Sequence, residues 1–321
     1  VPEPILIDTD TASDDAVALI MALRSHDAQV IAITTVAGNV VVEQATLNAL
    51  YTAQLCSADT PVFQGAGKPL ARPLITADWF HGKDGLGDHA YPSPRRRAEK
   101  QHAVQAIISI ARSNPGLMLV TLGPLTNIAL ALAQAPDLAG KVGRCVVMGG
   151  APCCVGNVTP AAEYNMWVDP EAARTVFTSG LPIEMVGWQL CRGAAALTHA
   201  DIEFVNGLGT PLSRFVVECN STARMAYRKQ TGEDGISLPD PLAMSIALYP
   251  SIGSESSRHY VDIETASELT RGMTIVDRLG VSADARNRPI WAELLDRGPN
   301  ATVYWAIDVP RWKQTLYAAL R

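Results

Sequence analysis

The stretch Ile5-Leu6-Ile7-Asp8-Thr9-Asp10-Thr11-Ala12-Ser13-Asp14-Asp15-Ala16-Val17-Ala18 decides how the rest of the chain is read. Ile5-Leu6-Ile7 is an apolar run of the length of one buried strand. Ser13 occupies the place of a helix N-cap, and the apolar run from Ala16 to Leu23 predicts a largely buried helix. Asp8, Asp10, Asp14 and Asp15 then fall at the carboxyl end of the strand and on the first turn of the helix. Open α/β sheets place their binding crevice at that edge. A helix N-terminus stabilises a carboxylate by only about 0.3–1 kcal/mol. That is too little to keep four mutually repelling carboxylates ionised in a partly buried cleft. Either protons or a cation must sit among them, and the cation is the better expectation.

The strand-turn-helix plan repeats outward from this motif. Val30 to Thr35 reads as a second strand, followed by Gly38-Asn39 and a helix near residues 41–57. Pro61-Val62-Phe63, Met118 to Leu122, Cys145 to Met148 and Ile183 to Val186 read as further strands. Asp169-Pro170 opens a helix with proline in its first turn. Such alternation predicts an α/β fold with a mostly parallel, Rossmann-like central sheet flanked by helices. From about Leu197 to Ala247 the pattern turns helical, and the tail returns to short strands and a last helix. No linker, repeat or low-complexity segment divides the chain, so residues 1–321 are expected to form a single large domain. The Gly-rich segment from Thr76 to Pro92, with Trp79-Phe80-His81-Gly82, is long and irregular, as lids and binding loops are.

Composition narrows the function. With 321 residues and 48% hydrophobic content the chain can bury a large core. Its net charge of −6 argues against a nucleic-acid or anionic-membrane surface. No apolar run approaches the ~18 residues of a membrane span. Residue 1 is Val, the expectation being that an initiator or leader has been removed, and no signal peptide is legible in the rest. The six cysteines show no CxxC spacing and no paired histidine pattern. Zinc is therefore not expected, whereas a reducing, cytoplasmic compartment is.

Further polar groups recur at strand ends. Asn39 follows the second strand, the Leu122 carbonyl precedes Gly123-Pro124, and Asn157, Glu163 and Asn165 precede Trp167-Val168-Asp169-Pro170. Asp240 stands in Leu238-Pro239-Asp240-Pro241, before an apolar helix. Taken alone it would be an ordinary helix cap. Carboxylates, amides and carbonyls without a His or Cys cluster form an all-oxygen set, suited to Ca2+ or Mg2+. The same groups suit the hydroxyls of a sugar.

At this point the sequence resembles the inosine–uridine-preferring nucleoside hydrolases, the N-ribohydrolases. The family's opening DxDxxxDD is here Asp8-Thr-Asp10-Thr-Ala-Ser-Asp14-Asp15. Thr34-Thr35-Val36-Ala37-Gly38-Asn39, His81-Gly82 with Gly85-Leu86-Gly87, and Leu122-Gly123-Pro124-Leu125-Thr126-Asn127 continue the pattern in order. So do Val147-Met148-Gly149-Gly150, Gly156-Asn157, Glu163-Tyr164-Asn165, Asp169-Pro170-Glu171-Ala172-Ala173, Asp240-Pro241 and Arg271-Gly272-Met273-Thr274.

The resemblance implies hydrolysis of a nucleoside's N-glycosidic bond. A Ca2+ would be held by Asp10, Asp15, Asp240 and the main-chain carbonyl of Leu122, with the ribose diol completing its coordination. Asp14, Asn39 and Asn165 would grip that diol, and Asn157 and Glu163 the 5′-hydroxyl. A water on the metal would attack C1′ with Asp10 as general base, and Asp8 would orient Asp10 or Asp15 from behind. The small-molecule nucleoside is the expected partner, and the family suggests a homo-oligomer, dimer or tetramer.

One departure concerns the leaving base. The residue before the last metal aspartate is often His or Trp in the family; here it is Pro239, which has no N–H to donate. Help for the leaving group must come from His81, Tyr227, Arg224 or solvent, or the enzyme must favour easier leaving groups. Gly187-Trp188-Gln189-Leu190-Cys191-Arg192 is also unusual for the family. Two other functions compete. A haloacid-dehalogenase-like Mg2+ phosphohydrolase would use Asp8 of Ile7-Asp8-Thr9-Asp10-Thr11 as nucleophile, yet it leaves Asp14-Asp15 without a role. A non-catalytic calcium- or sugar-binding protein would need no general base.

Overall fold

Ile5 and Ile7 pack into one apolar cluster and Leu6 into another, so the first strand is buried on both faces. The same alternation divides Met118 and Val120 from Leu117 and Leu119, and Val146 and Met148 from Cys145 and Val147. Strands with two buried faces read as continuous apolar runs and require helices on both sides of the sheet. The computed structural model describes residues 2–291 and 298–321.

Ten strands are present among these residues: β1 (Glu3–Thr9), β2 (Ala28–Thr35), β3 (Val62–Gln64), β4 (Leu117–Thr121), β5 (Val142–Met148), β6 (Ile183–Val186), β7 (Gly253–His259), β8 (Val261–Ile263), β9 (Thr274–Val276) and β10 (Ala301–Ile307). Eight form one sheet in the order β3-β2-β1-β4-β5-β6-β10-β7, and β8 with β9 forms a separate antiparallel pair. Every pairing in the large sheet is parallel except β10 with the edge strand β7. This is the mostly parallel, Rossmann-like arrangement expected from the alternation. Among the described residues no helix is long and apolar enough to cross a membrane.

The strand order reverses between β1 and β4, the switch point at which doubly wound sheets bind ligands. Asp8 pairs in register with Thr34 of β2 and Thr121 of β4. The residues just beyond, Asp10, Val36 to Asn39 and Leu122, therefore emerge together at one edge.

The helix Ser13–Arg24 runs from this edge through the core, with ten of its residues buried, and packs against the helix Pro239–Leu248. Its N-cap is Ala12 rather than Ser13. Asp15 supplies the missing cap interaction by accepting from the Ala12 N–H at 2.9 Å. Ser13 is thereby released, and its Oγ lies 2.8 Å from His81 Nδ1. Pro239 opens the other helix at its first turn and leaves Asp240 in that turn, facing Asp14 and Asp15. Within the irregular segment 76–92 the chain forms one short helix, Asp78–His81, which carries Trp79, Phe80 and His81 to the same edge.

Candidate active site

A cleft opens at the switch point, the edge at which doubly wound sheets bind their ligands. Asp14, Asn39, Leu122, Asn157, Glu163, Asn165, Asp240 and His81 all contribute to its wall. The structure thus brings together residues that follow β2, β4 and β5 and residues from four helices, Ser13–Arg24, Asp78–His81, Tyr164–Val168 and Pro239–Leu248.

Asp14 and Asp240 line the cleft, and Asp10 and Asp15 are packed behind them without reaching its wall. Asp10 and Asp15 are fully buried, and Asp14 and Asp240 are nearly so. Oxygens of Asp14, Asp15 and Asp240 lie within 4.8 Å of one another. Asp10 adjoins this group, its carboxyl within hydrogen-bonding reach of Asp15. Burial pushes the Asp14 carboxyl up to about 7, with the charge of Asp15 adding to the effect. The same two causes raise Asp10. Asp240 is raised by burial and then by Asp14, and Asp15 by burial, against the hydrogen bond from Thr9 Oγ1 at 2.5 Å.

Asp10 is held by backbone. Its Oδ2 accepts from the Asn39 N–H at 2.6 Å, while Oδ1 is buried without a partner. A side chain at Gly38 or Gly123 would run into this carboxyl, so glycine at both positions allows the two loops to close on it. Asp14 Oδ1 is also buried and unpartnered. Orphaned carboxylate oxygens are costly, and a hard cation or a ligand hydroxyl is what such oxygens accept. The donor set is all oxygen, which fits Ca2+ or Mg2+ and not zinc.

Asp8 stands behind these carboxyls and contributes nothing to the cleft wall. Its Oδ1 accepts from Thr34 Oγ1 at 2.5 Å and Asn127 Nδ2 at 2.8 Å, and burial pushes its carboxyl up to about 7. On the other wall, Glu163 caps the short helix Tyr164–Val168 and accepts from the N–H groups of Gly150 (2.7 Å) and Asn165 (2.9 Å). Asn165 Nδ2 donates to the Leu122 carbonyl at 2.8 Å, tying the β4 end to this wall.

Residues 5–314 match the family model described as inosine-uridine preferring nucleoside hydrolase. The chain belongs to this family. This nucleoside hydrolase is 42% identical over 297 residues to the pyrimidine-specific ribonucleoside hydrolase RihA of Klebsiella pneumoniae, covering 91% of this chain and 93% of the relative. It is 40% identical over 308 residues to a RihA of Shewanella sp., covering 95% and 92%. Among solved structures, a plant nucleoside hydrolase, PpNRh1, superposes with a TM-score of 0.92 at 32% identity, covering 100% of this chain and 99% of the other. A purine-preferring ribonucleoside hydrolase from Gardnerella vaginalis gives 0.89 at 30% identity, covering 99% and 98%. The chain is accordingly an N-glycosyl hydrolase acting on ribonucleosides.

One substrate contact expected from the sequence is placed elsewhere in the hydrolase. Tyr227, expected among the substrate contacts, is buried behind the wall with its hydroxyl bonded to Glu233, and it does not line the cleft. Its neighbour Arg224 is engaged with Asp234 at 3.1 Å. His81 does line the cleft, but burial pushes its imidazole down to about 3, so it is neutral there. The cleft also contains residues that sequence reasoning did not assign: Tyr164, Trp188, Asn220, Gln230 and Ser237. The motif Glu163-Tyr164-Asn165 and the unusual run around Trp188 were the available signals for two of them.

Proposed function

We propose that the chain hydrolyses the N-glycosidic bond of pyrimidine ribonucleosides such as uridine in a Ca2+-dependent reaction, releasing free base and ribose. One observation carries the reading: buried carboxyls with unpartnered oxygens converge beside the cleft at the switch point. The pyrimidine preference is supported by relatives at 40–42% identity that bear that specificity in their names, against 30% for the purine-preferring neighbour.

In this reading Asp10, Asp15, Asp240 and the Leu122 carbonyl hold the ion, with Asp14 beside it. When bound, Ca2+ supplies a fixed positive charge that orders the ribose diol and modestly acidifies water. Asp14, Asn39 and Asn165 grip the 2′- and 3′-hydroxyls, and Asn157 and Glu163 hold the 5′-hydroxyl. The free Oδ1 of Asp10 takes a proton from water as the water oxygen bonds to C1′ and the C1′–N bond breaks, through an oxocarbenium-like transition state. Asp8 keeps its place behind Asp10 through Thr34 and Asn127. We further propose that residues 1–321 act as one catalytic unit, working in the cytoplasm as a dimer or tetramer, which light scattering tests.

The direct test incubates the protein with uridine, cytidine and inosine, with Ca2+ or with a chelator, and with p-nitrophenyl phosphate in parallel. Ribose release that the chelator suppresses and that Asp10→Asn reduces by about 10²–10⁴-fold is expected. Phosphate release without ribose release would overturn the reading.

A further inference from the structure

Trp188 begins the 3-10 turn Trp188–Cys191 that follows β6, and it forms part of the cleft wall. It is 4% exposed, and its main-chain N–H donates to the Gly150 carbonyl at 2.9 Å. Its indole Nε1–H, however, is buried with no hydrogen-bond partner. Two other indoles are paired: Trp312 donates to the Ala195 carbonyl at 3.0 Å and Trp305 to Ser257 Oγ at 2.8 Å. A buried donor left unpaired at the wall of a binding cleft is a group that a ligand acceptor satisfies.

The setting of the indole defines the acceptor. The guanidinium of Arg192 lies 5.7 Å from the indole ring centroid, where a cation withdraws electron density and strengthens the N–H as a donor. Ser237 Oγ donates to the Cys191 carbonyl at 3.1 Å, which ties the Trp188 turn to the segment leading into Pro239 and Asp240. Pro239 stands in the cleft wall without a proton to give, and His81 Nδ1 is engaged with Ser13 Oγ at 2.8 Å. Glu163 lies on the sugar side of the proposed pose, where its carboxyl accepts from the Gly150 and Asn165 N–H groups.

We propose that Trp188 stabilises the departing base, its Nε1–H donating to a ring carbonyl oxygen that takes up negative charge as the C1′–N bond breaks. The bond's electron pair passes into the base, which leaves as an anion and afterwards takes a proton from water. The attacking water gives one proton to Asp10, which returns it to solvent, so the net reaction consumes one water and yields neutral base and ribose. The inference rests on the nucleoside-hydrolase reading of the cleft, and it makes the reaction sensitive to the acidity of the leaving base.

The test compares uridine with 5-fluorouridine, which has nearly the same shape and a more acidic base. Trp188→Phe is expected to lower kcat on uridine by about 10- to 100-fold, the range for losing a hydrogen bond to a charged group. The loss on 5-fluorouridine should be several-fold smaller, because that base needs less help to leave. Inhibition by free ribose should be unchanged, which reports an intact sugar half. Replacing Trp188 with benzothienylalanine, which keeps the ring shape and puts sulfur in place of the N–H, should reproduce the Phe result. Equal losses on both substrates, or full activity with benzothienylalanine, would overturn the proposal. If the unsubstituted chain releases ribose from neither uridine nor inosine, the hydrolase reading of the cleft falls and this inference with it. An active parent indifferent to Trp188→Phe removes only the inference.

Discussion

Asp10 is enclosed on two sides by main chain that only glycine permits to come so near. At Gly123 an added Cβ would lie within 3 Å of the Asp10 carboxyl and its backbone nitrogen, and at Gly38 it would meet the same carboxyl and Pro124. Neither glycine needs a left-handed backbone, so the constraint is space and not conformational freedom. Gly123→Ala should therefore push Asp10 out of place while sparing the strands. We expect kcat on the preferred nucleoside to fall by about 10²-fold or more, with far-ultraviolet circular dichroism unchanged. A Gly123→Ala enzyme with near-normal kcat would show that the position of Asp10 is not critical. Asp10 itself was legible in the sequence, because a carboxylate after an apolar strand has few ordinary explanations. Asn220 and Gln230 were not, because each is an unremarkable residue in its own segment and acquires a role only when the chain folds the segments onto one cleft.

At the scale of elements, the edge of the sheet is fastened by side chains that bridge strands. Asn127, on the helix Thr126–Gln134, donates to Asp8 Oδ1 at 2.8 Å and to the Thr35 carbonyl at 2.9 Å, and it accepts from the Ala66 N–H at 2.9 Å. One buried amide thus links β1, β2 and the loop after β3. Asn127→Ala would leave several buried polar groups unpaired at once, a loss of about 3 kcal/mol of stability. Urea denaturation should show that loss, together with reduced activity as Asp8 is no longer held. A change below about 0.5 kcal/mol would mean the network is redundant. The motif Leu122 to Asn127 was visible in the sequence, but the reach of Asn127 across the sheet edge was not. The same holds for the start of the helix Ser13–Arg24. Local preference predicts Ser13 as the cap, yet His81, 68 residues away, takes the serine hydroxyl and Asp15 takes over the capping contact. Strand and helix positions follow from patterns along the chain, whereas these exchanges follow from neighbours that only the tertiary fold supplies.

For the whole molecule, the carboxyl cluster couples stability to pH and to the cation. Burial raises Asp8 and Asp14 to about 7 and lifts Asp10, Asp15 and Asp240 above their ordinary range. A carboxyl whose pKa is higher folded than unfolded holds extra protons in the native state. Its contribution is present below the unfolded value of about 4 and is lost as pH rises toward the folded value. The chelated protein should therefore become less stable from about pH 4 to pH 7 on account of these five groups. His81 acts in the opposite sense: lowered from 6.5 to about 3, it favours the fold at the upper end of that window and opposes it as pH falls. One imidazole against five carboxyls leaves the carboxyl trend dominant. A divalent ion competes with those protons for the same oxygens, so it binds best where they have been lost. Since an ion that binds only the folded state stabilises it in proportion to the logarithm of its occupancy term, millimolar Ca2+ should raise Tm by several degrees at pH 8 and by far less at pH 5. Thermal melts in Ca2+ and in chelator at the two pH values measure this directly. An equal Ca2+ shift at both, or a chelated protein that gains stability between pH 5 and pH 7, would show that the carboxyls do not hold the ion in the way their burial and spacing suggest.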